Sequence, residues 1–268
     1  MMRALWTAGS GMAAQQFNVD VISNNLANVN TTSYKKDKVE FKDLLYDTMS
    51  RAYILENAGR PVNLQVGYGT LTSATVKDFQ SGSFEKTDNQ LDFAIDGEGF
   101  FMVLGPRDEI LYTRDGSFKI SVTDTGKMLV TSDGYPVLDN AGAKIIFNKD
   151  MDLSKLNISE TGDLSFTDEE GTSVATGQKI GIVNFSNKNG LANAGKNFYT
   201  ATSASGEAVS DAEAVNKSVL LQRYLETSNV QVVEEMVKLI VAERAYELNA
   251  KAIQSSDEMI AMANNLKR

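Results

Sequence analysis

"VISNNLANVNTTSYKK", residues 21–36, decides how this chain is to be read. The residues before it follow the period of an amphipathic helix. Asparagine then crowds the end of that helix at Asn24, Asn25, Asn28 and Asn30, with Asn18 upstream. Asparagine is poor in a helix interior, because its amide competes for the backbone's hydrogen bonds. Yet Leu5, Ala8, Met12, Val19, Ile22, Leu26 and Val29 fall on one seam at steps of three and four, with Gln15 the polar interruption. The stripe runs about 24 residues, or roughly 36 Å at 1.5 Å per residue. Amides loaded onto a helix of this kind need partners.

The far end of the chain mirrors the near end. From Val230 to Leu266 there is no Gly or Pro, and good helix formers dominate. One apolar stripe holds Val233, Val237, Ile240, Val241, Leu248 and Met259, continuing through Ala252 to Leu266. A second holds Val232, Met236, Leu239, Tyr246, Ile253 and Ile260, with Ala250. One partner helix cannot cover both, so this helix needs neighbours on more than one side.

Residues 66–210 are of another kind. Short β-type runs such as "DFAID", "GFFMVL", "ILYTRD" and "KIGIVNF" are separated by turn pairs: Asp96-Gly97, Asp115-Gly116, Asp133-Gly134 and Asn189-Gly190. That spacing predicts an antiparallel β domain. The expected fold class is α+β: long N- and C-terminal helices forming a coiled-coil-like inner domain, with an inserted antiparallel β domain. Residues 1–36 and 224–268 are assigned to the terminal helices. Residues 37–90 and 186–223 are assigned to an extended connecting region, and 91–185 to the β-rich outer domain.

Composition removes whole classes of function. The 268 residues include 26 basic and 35 acidic side chains, for a net charge of −9. Nucleic acid is therefore not an expected partner, since phosphate binding needs concentrated Lys and Arg. There is no cysteine and no histidine, which rules out disulfides, thiolate zinc sites, a cysteine nucleophile and a histidine base. No segment approaches the roughly 18–20 apolar residues of a transmembrane span. The opening "MMRALWTAGSGMAAQQF" is too polar, at Thr7, Gly9, Ser10, Gly11 and Gln15, for a cleaved signal peptide.

No motif of chemistry stands out either. "GSGMAA" (Gly9, Gly11, Ala14) imitates a dinucleotide fingerprint, but no strand precedes it, so close helix packing is the expected use of these small residues. Asp124, Asp133 and Asp139 lie near one another without the spacing of a calcium loop and are assigned to hairpin turns. No cofactor, metal or catalytic residue is expected.

Longer stretches carry a resemblance. "LWTAGSGMAAQQFNVDVISNNLANVNTTSYKK" with "FKDLLYDTM", then "SGSFEKTDNQLDFAIDGEGFFMV" and "YTRDGSFKI", and finally "LETSNVQVVEEMVKLIVAERAYELNAKAIQSSDEMI", resemble the bacterial flagellar axial proteins of rod and hook, those of the distal rod above all. They cover well over half the chain; residues 140–215 carry no such pattern. The resemblance implies a structural subunit of the flagellar basal-body rod, a homopolymer in a helical tube that transmits torque from motor to hook. It also implies passage through the flagellar export apparatus, and other rod proteins, hook protein and surrounding ring proteins as partners. Proximal rod and hook subunits are the near alternatives. An alternative of another class is a carboxylate-dependent, carbohydrate-active β domain on a helical stalk, which a cell-wall lytic assay would reveal.

Within such a polymer the subunit interface is expected at Leu5, Met12, Val19, Ile22 and Leu26 on the first helix. On the second it is expected at Val233, Met236, Leu239, Ile240, Tyr246, Leu248, Ile253 and Met259. Asn24, Asn25 and Asn28, with Asn229 and Asn249, are expected to set register, because a buried amide is tolerated only where it is correctly paired. For Asn28 and Asn30 the alternative is a helix end followed by a turn. Residues 46–66 occupy the place of a segment that stiffens distal rods. The sequence departs from the family at Ser33, where the turn after "NTT" has Gly.

Overall fold

The computed structural model describes residues 2–50, 63–123, 126–148, 156–167, 173–211 and 217–265. Two compact units emerge from the contacts. One gathers residues 1–27, 37–78 and 231–268, the other residues 28–36 and 79–230.

The first unit holds helix α1 (Met2–Ala27), strands β1 (Asp37–Asp43), β2 (Tyr46–Ser50), β3 (Leu64–Gly67) and β4 (Thr70–Lys77), and helix α2 (Val232–Asn265). Glu234 and Glu235 in the first turn of α2 complement its dipole. β1 runs antiparallel to β4 from Asp37 opposite Lys77 to Asp43 opposite Thr70, with a register shift at Glu40 and Phe41. β2 pairs with β3 beyond it, so the four strands form two successive two-stranded ribbons.

The second unit is antiparallel β throughout. A six-stranded sheet runs in the order 192–195, 198–200, 110–113, 100–104, 182–184, 209–210. The strand Phe100–Leu104 explains its two-sidedness, because alternate side chains point to opposite faces. Phe101 and Val103 enter one hydrophobic cluster with Phe93, Phe118 and Leu129, while Phe100 and Met102 enter another with Tyr112 and Phe185. Edge-on rings knit the second cluster, with Tyr112 and Phe185 centred 4.8 Å apart and Phe100 and Phe185 5.8 Å apart. Residues 192–200 and 209–210 thus supply sheet strands within the stretch that had carried no family pattern. An N-terminal helix, a C-terminal helix and a central antiparallel β region make the chain α+β, as its sequence pattern predicts.

Candidate assembly surfaces

In the first unit α1 touches both α2 and the ribbon of β1 and β4. Gly11 lies against Asn249, whose amide nitrogen would stand 2.9 Å from a Cβ placed there. At the other end Asn25 reaches Glu235. Gly11 to Asn25 and Glu235 to Asn249 are equal stretches, so the helices run antiparallel in constant register. Buried on α1 are Ala8, Ala14, Ile22 and Asn25, with Gly11, Gln15 and Asn18 half-buried. On α2 Glu235, Ala242 and Ser256 are buried, and Leu239, Ala245, Asn249, Ala250 and Ile253 half-buried. The seam inside the chain is made largely of small and polar residues. It shares Ala8, Gln15 and Ile22 with the predicted stripe and otherwise runs beside it, because α1 must also meet β4. There Gly69, at φ +114, lets the ribbon approach Ser10 more closely than any side chain would allow.

Asn25 shows what a helix-end amide is for. It is 1% exposed. Its Oδ1 accepts the Asp37 N–H at 2.9 Å, and its Nδ2 donates to the Asp37 carbonyl at 2.9 Å and to Glu235 Oε2 at 3.3 Å. The amide supplies the two bonds a neighbouring strand would offer, and so starts β1 beside the helix. Asn28 instead builds a turn, accepting the Thr31 hydroxyl and N–H. Asn24 faces outward.

The apolar positions predicted for contact divide accordingly. Leu5, Met12, Val19 and Leu26 are half-buried on α1, and Ile22 is buried. Leu239 and Ile253 are half-buried beside the seam. Val233 at 77% and Leu248 at 66% exposure lead an outward row with Val237, Ile240, Val241 and Met259 on the face opposite the seam; Met236 and Tyr246 are also exposed. Leu266, last of that stripe, lies outside the described residues. Hollows open on this unit among the described residues. The larger, about 780 Å³, lies between α1 and the ribbon and is lined by Trp6, Ala13, Phe17, Leu44, Tyr68 and Leu71, among others. The smaller, about 410 Å³, is lined by Gln16, Val19, Glu243, Tyr246 and Glu247.

The second unit contains a buried ionic cluster that the sequence did not announce. Glu226 accepts from Lys35 Nζ at 2.6 Å and from Arg114 Nε at 3.0 Å, all three side chains being at most 1% exposed. The Gly82 N–H adds a third bond to Glu226 at 2.9 Å. Two cations face one anion, and carbonyls absorb the rest: Lys35 donates to Gln80, and Arg114 donates to Ile95, Gly97 and Gly99. Burial pushes the Glu226 carboxyl up, but the charges of Arg114 and Lys35, with the bonds from Lys35 and Gly82, outweigh it and hold it below the ordinary carboxylate value. Asn229 acts beside this cluster as Asn25 does elsewhere: its Oδ1 accepts the Lys36 N–H at 2.9 Å and its Nδ2 donates to Gln80 at 3.2 Å.

Ser33 stands at φ +54, in the left-handed region that explains the family's glycine. Its N–H donates to the Glu226 carbonyl and its hydroxyl to the Arg114 carbonyl, each at 2.8 Å. The hydroxyl bond offsets the backbone cost of a side chain here. Ser33→Gly is therefore expected to change stability by less than about 1 kcal/mol, losing a bond and relieving strain together. Ser33→Ala keeps the strain and leaves the Arg114 carbonyl without that donor, at a cost of about 1–2 kcal/mol. Urea midpoints of the two variants check this; an alanine variant as stable as the glycine one would remove the hydroxyl's role.

The remaining sequence candidates have structural uses. Gly9, Gly11 and Ala14 lie inside α1. Asp133 pairs with Lys196 at 2.8 Å, Asp139 accepts the backbone N–H of Asn140 and Lys179, and Asp124 lies outside the described residues. Among the described residues no group of His, Cys, Asp or Glu is placed to hold a metal ion, and no helix is long and apolar enough to cross a membrane.

Comparison with known proteins addresses the same three regions. Residues 5–35 match the family profile "Flagella basal body rod protein", residues 94–166 "Flagellar hook protein FlgE/F/G D1 domain", and residues 221–266 "Flagellar basal body rod FlgEFG protein C-terminal". The chain is 48% identical over 274 residues to the flagellar basal-body rod protein FlgG of Borreliella burgdorferi, covering 100% of both. It is 40% identical over 270 residues to that of Caulobacter vibrioides, covering 99% of this chain and 100% of the relative. It is 38% identical over 276 residues to that of Bacillus subtilis, covering 100% of both. These are structural proteins, and the carbohydrate-active alternative falls with that finding. With its matches to rod-protein profiles at both ends and full-length relatives of 38–48% identity, the chain belongs to the flagellar basal-body rod protein family.

Proposed function

We propose that this chain is the distal rod subunit, polymerising into a helical tube that carries torque to the hook. The observation that carries the reading is the outward apolar row of α2, opposite a seam that its own partner helix already fills. Such a row in water is a standing penalty that neighbouring copies remove. Val233, Met236, Ile240, Tyr246, Leu248 and Met259 then meet other subunits, as do the half-buried flanks Leu5, Met12, Val19 and Leu26 of α1. Ile22, Leu239 and Ile253 support the contact from the seam side. Asn24, exposed on α1, takes part in register between copies, and Asn25, Asn28 and Asn229 fix the local chain around it through bonds within the subunit.

On this reading the subunit leaves the cell interior through the flagellar export apparatus, joins other rod proteins and hook protein at its two ends, and turns within ring proteins. The ribbon of β2 and β3 carries the stiffening segment; residues 51–62, its middle, lie outside the described residues. The test is an epitope-tagged chain expressed in a strain lacking the native subunit, with gold label imaged on purified basal bodies. Label along the distal rod is expected. Label in the hook, or confined to the cell-proximal end of the rod, would reassign the subunit.

A further inference from the structure

The larger hollow of the first unit and the outward row of α2 differ in shape and composition. The hollow is concave and walled by the rings of Trp6, Phe17 and Tyr68, with Leu44 and Leu71. The row is convex and aliphatic: Val233, Val237, Ile240, Val241 and Leu248. The row's face carries Lys251 and Arg244, the latter paired with Glu247 at 2.8 Å on its own helix, together with Glu258. The only charged residues of α1 are Arg3, paired with Asp47, and the exposed Asp20.

Trp6 is 73% exposed and is the chain's single tryptophan, an unusual expense of apolar surface. We propose that the aromatic groove between α1 and the ribbon receives the outward row of α2 from a second copy of this chain. Two different patches joined in this way make a heterologous contact, which builds an open helix where its rotation does not close, and never a two-fold dimer. Ring walls receiving β-branched and leucine side chains form the apolar centre of the contact, and the exposed Asp20 meets Lys251 at its edge. The proposal rests on the reading of the chain as a polymerising subunit, and names the surfaces that meet.

Because the chain has no cysteine, it can be tested by cross-linking. Leu71→Cys and Val237→Cys chains are co-expressed, each with a distinct tag, in a strain lacking the native subunit, and basal bodies are oxidised before non-reducing electrophoresis. Doubly tagged dimers are expected, and the chain carrying both cysteines should give a ladder, with either single variant alone giving neither. Complete rods without doubly tagged dimers would overturn the groove-to-row pairing and leave the rod reading intact. A cross-link confined within one chain would give the groove to the subunit's own ribbon, and one to a different protein would give it to another partner; both overturn the proposal. If neither variant enters basal bodies, Trp6 emission of the unsubstituted chain decides. Its maximum should move to shorter wavelength as concentrated subunits sediment as oligomers, and unchanged emission in oligomers, or a chain that stays monomeric, would end the proposal.

Discussion

Glu226→Gln will cost the chain about 3–5 kcal/mol of unfolding free energy, the usual loss when one partner of a buried ion pair is removed. Glutamine fills the same space and can still accept from Gly82. What it cannot do is supply the negative charge that Lys35 and Arg114, both buried, share in the parent. Denaturant unfolding followed by far-UV circular dichroism reads the loss. Lys35→Met should cost less, because Glu226 and Arg114 then remain as a balanced pair. A glutamine variant within about 1 kcal/mol of the parent would mean that water reaches the cluster. The same carboxylate fixes the response to acid. Its folded value is depressed, so its contribution is complete above the ordinary carboxylate value and is lost as pH falls through the lowered one. The parent's melting temperature should drop through that acid window more steeply than that of Glu226→Gln, which has no such group to protonate.

Leu248→Asp is expected to abolish rod assembly and leave the subunit's own unfolding unchanged within about 0.5 kcal/mol, the range of a surface substitution. Leu248 is two-thirds exposed in the single chain, so a carboxylate there is solvated. Covered by a neighbour, the same carboxylate costs several kcal/mol, and the cost recurs with every added subunit. Leu248→Met, which keeps the apolar volume, should assemble normally. Leu239→Asp differs in kind, since Leu239 is half-buried beside α1 and its change loosens the helix pair as well. Swimming in a complemented strain and counts of completed basal bodies score all three. Normal motility with Leu248→Asp would place this face in solvent.

The helices and the β character of the middle were legible because they rest on local signals: stripes of period 3.6, alternation of period 2, and Asp-Gly or Asn-Gly turns. The two stripes of α2 also indicated that one neighbour would not suffice. The seam was not legible. A search for apolar residues follows Met12, Val19 and Leu26, whereas the helices touch closely at Gly11 against Asn249 and at Asn25 against Glu235, where small size and amide bonding matter more than hydrophobicity. Nor could Lys35, Arg114 and Glu226 be found from spacing, since nothing local distinguishes them from other charges in the chain. Residues 192–200 gave a weak signal because their strands are short and carry Asn, Gly and Lys; the sheet, through Phe198 and Tyr199, holds them in place. Ser33 had a signal, its departure from the family's glycine. Its meaning needed the φ angle.

The bonds around Glu226 also set a clock. Lys35 is 191 positions away from it in sequence, and Arg114 is 112. Every chain appears end first, and until residue 226 arrives, Lys35 and Arg114 lack the buried carboxylate that they share in the folded unit. The strand Phe93–Asp96 waits likewise for its partner at 219–222. Closing so long a loop is slow. The strand at 219–222 and Glu226 are the pieces a shortened chain lacks: Phe93–Asp96 then has an open edge, and Lys35 and Arg114 are left without the carboxylate they share. A subunit interrupted before Glu226 thus carries an exposed edge and an unbalanced pair of cations that mark it as incomplete.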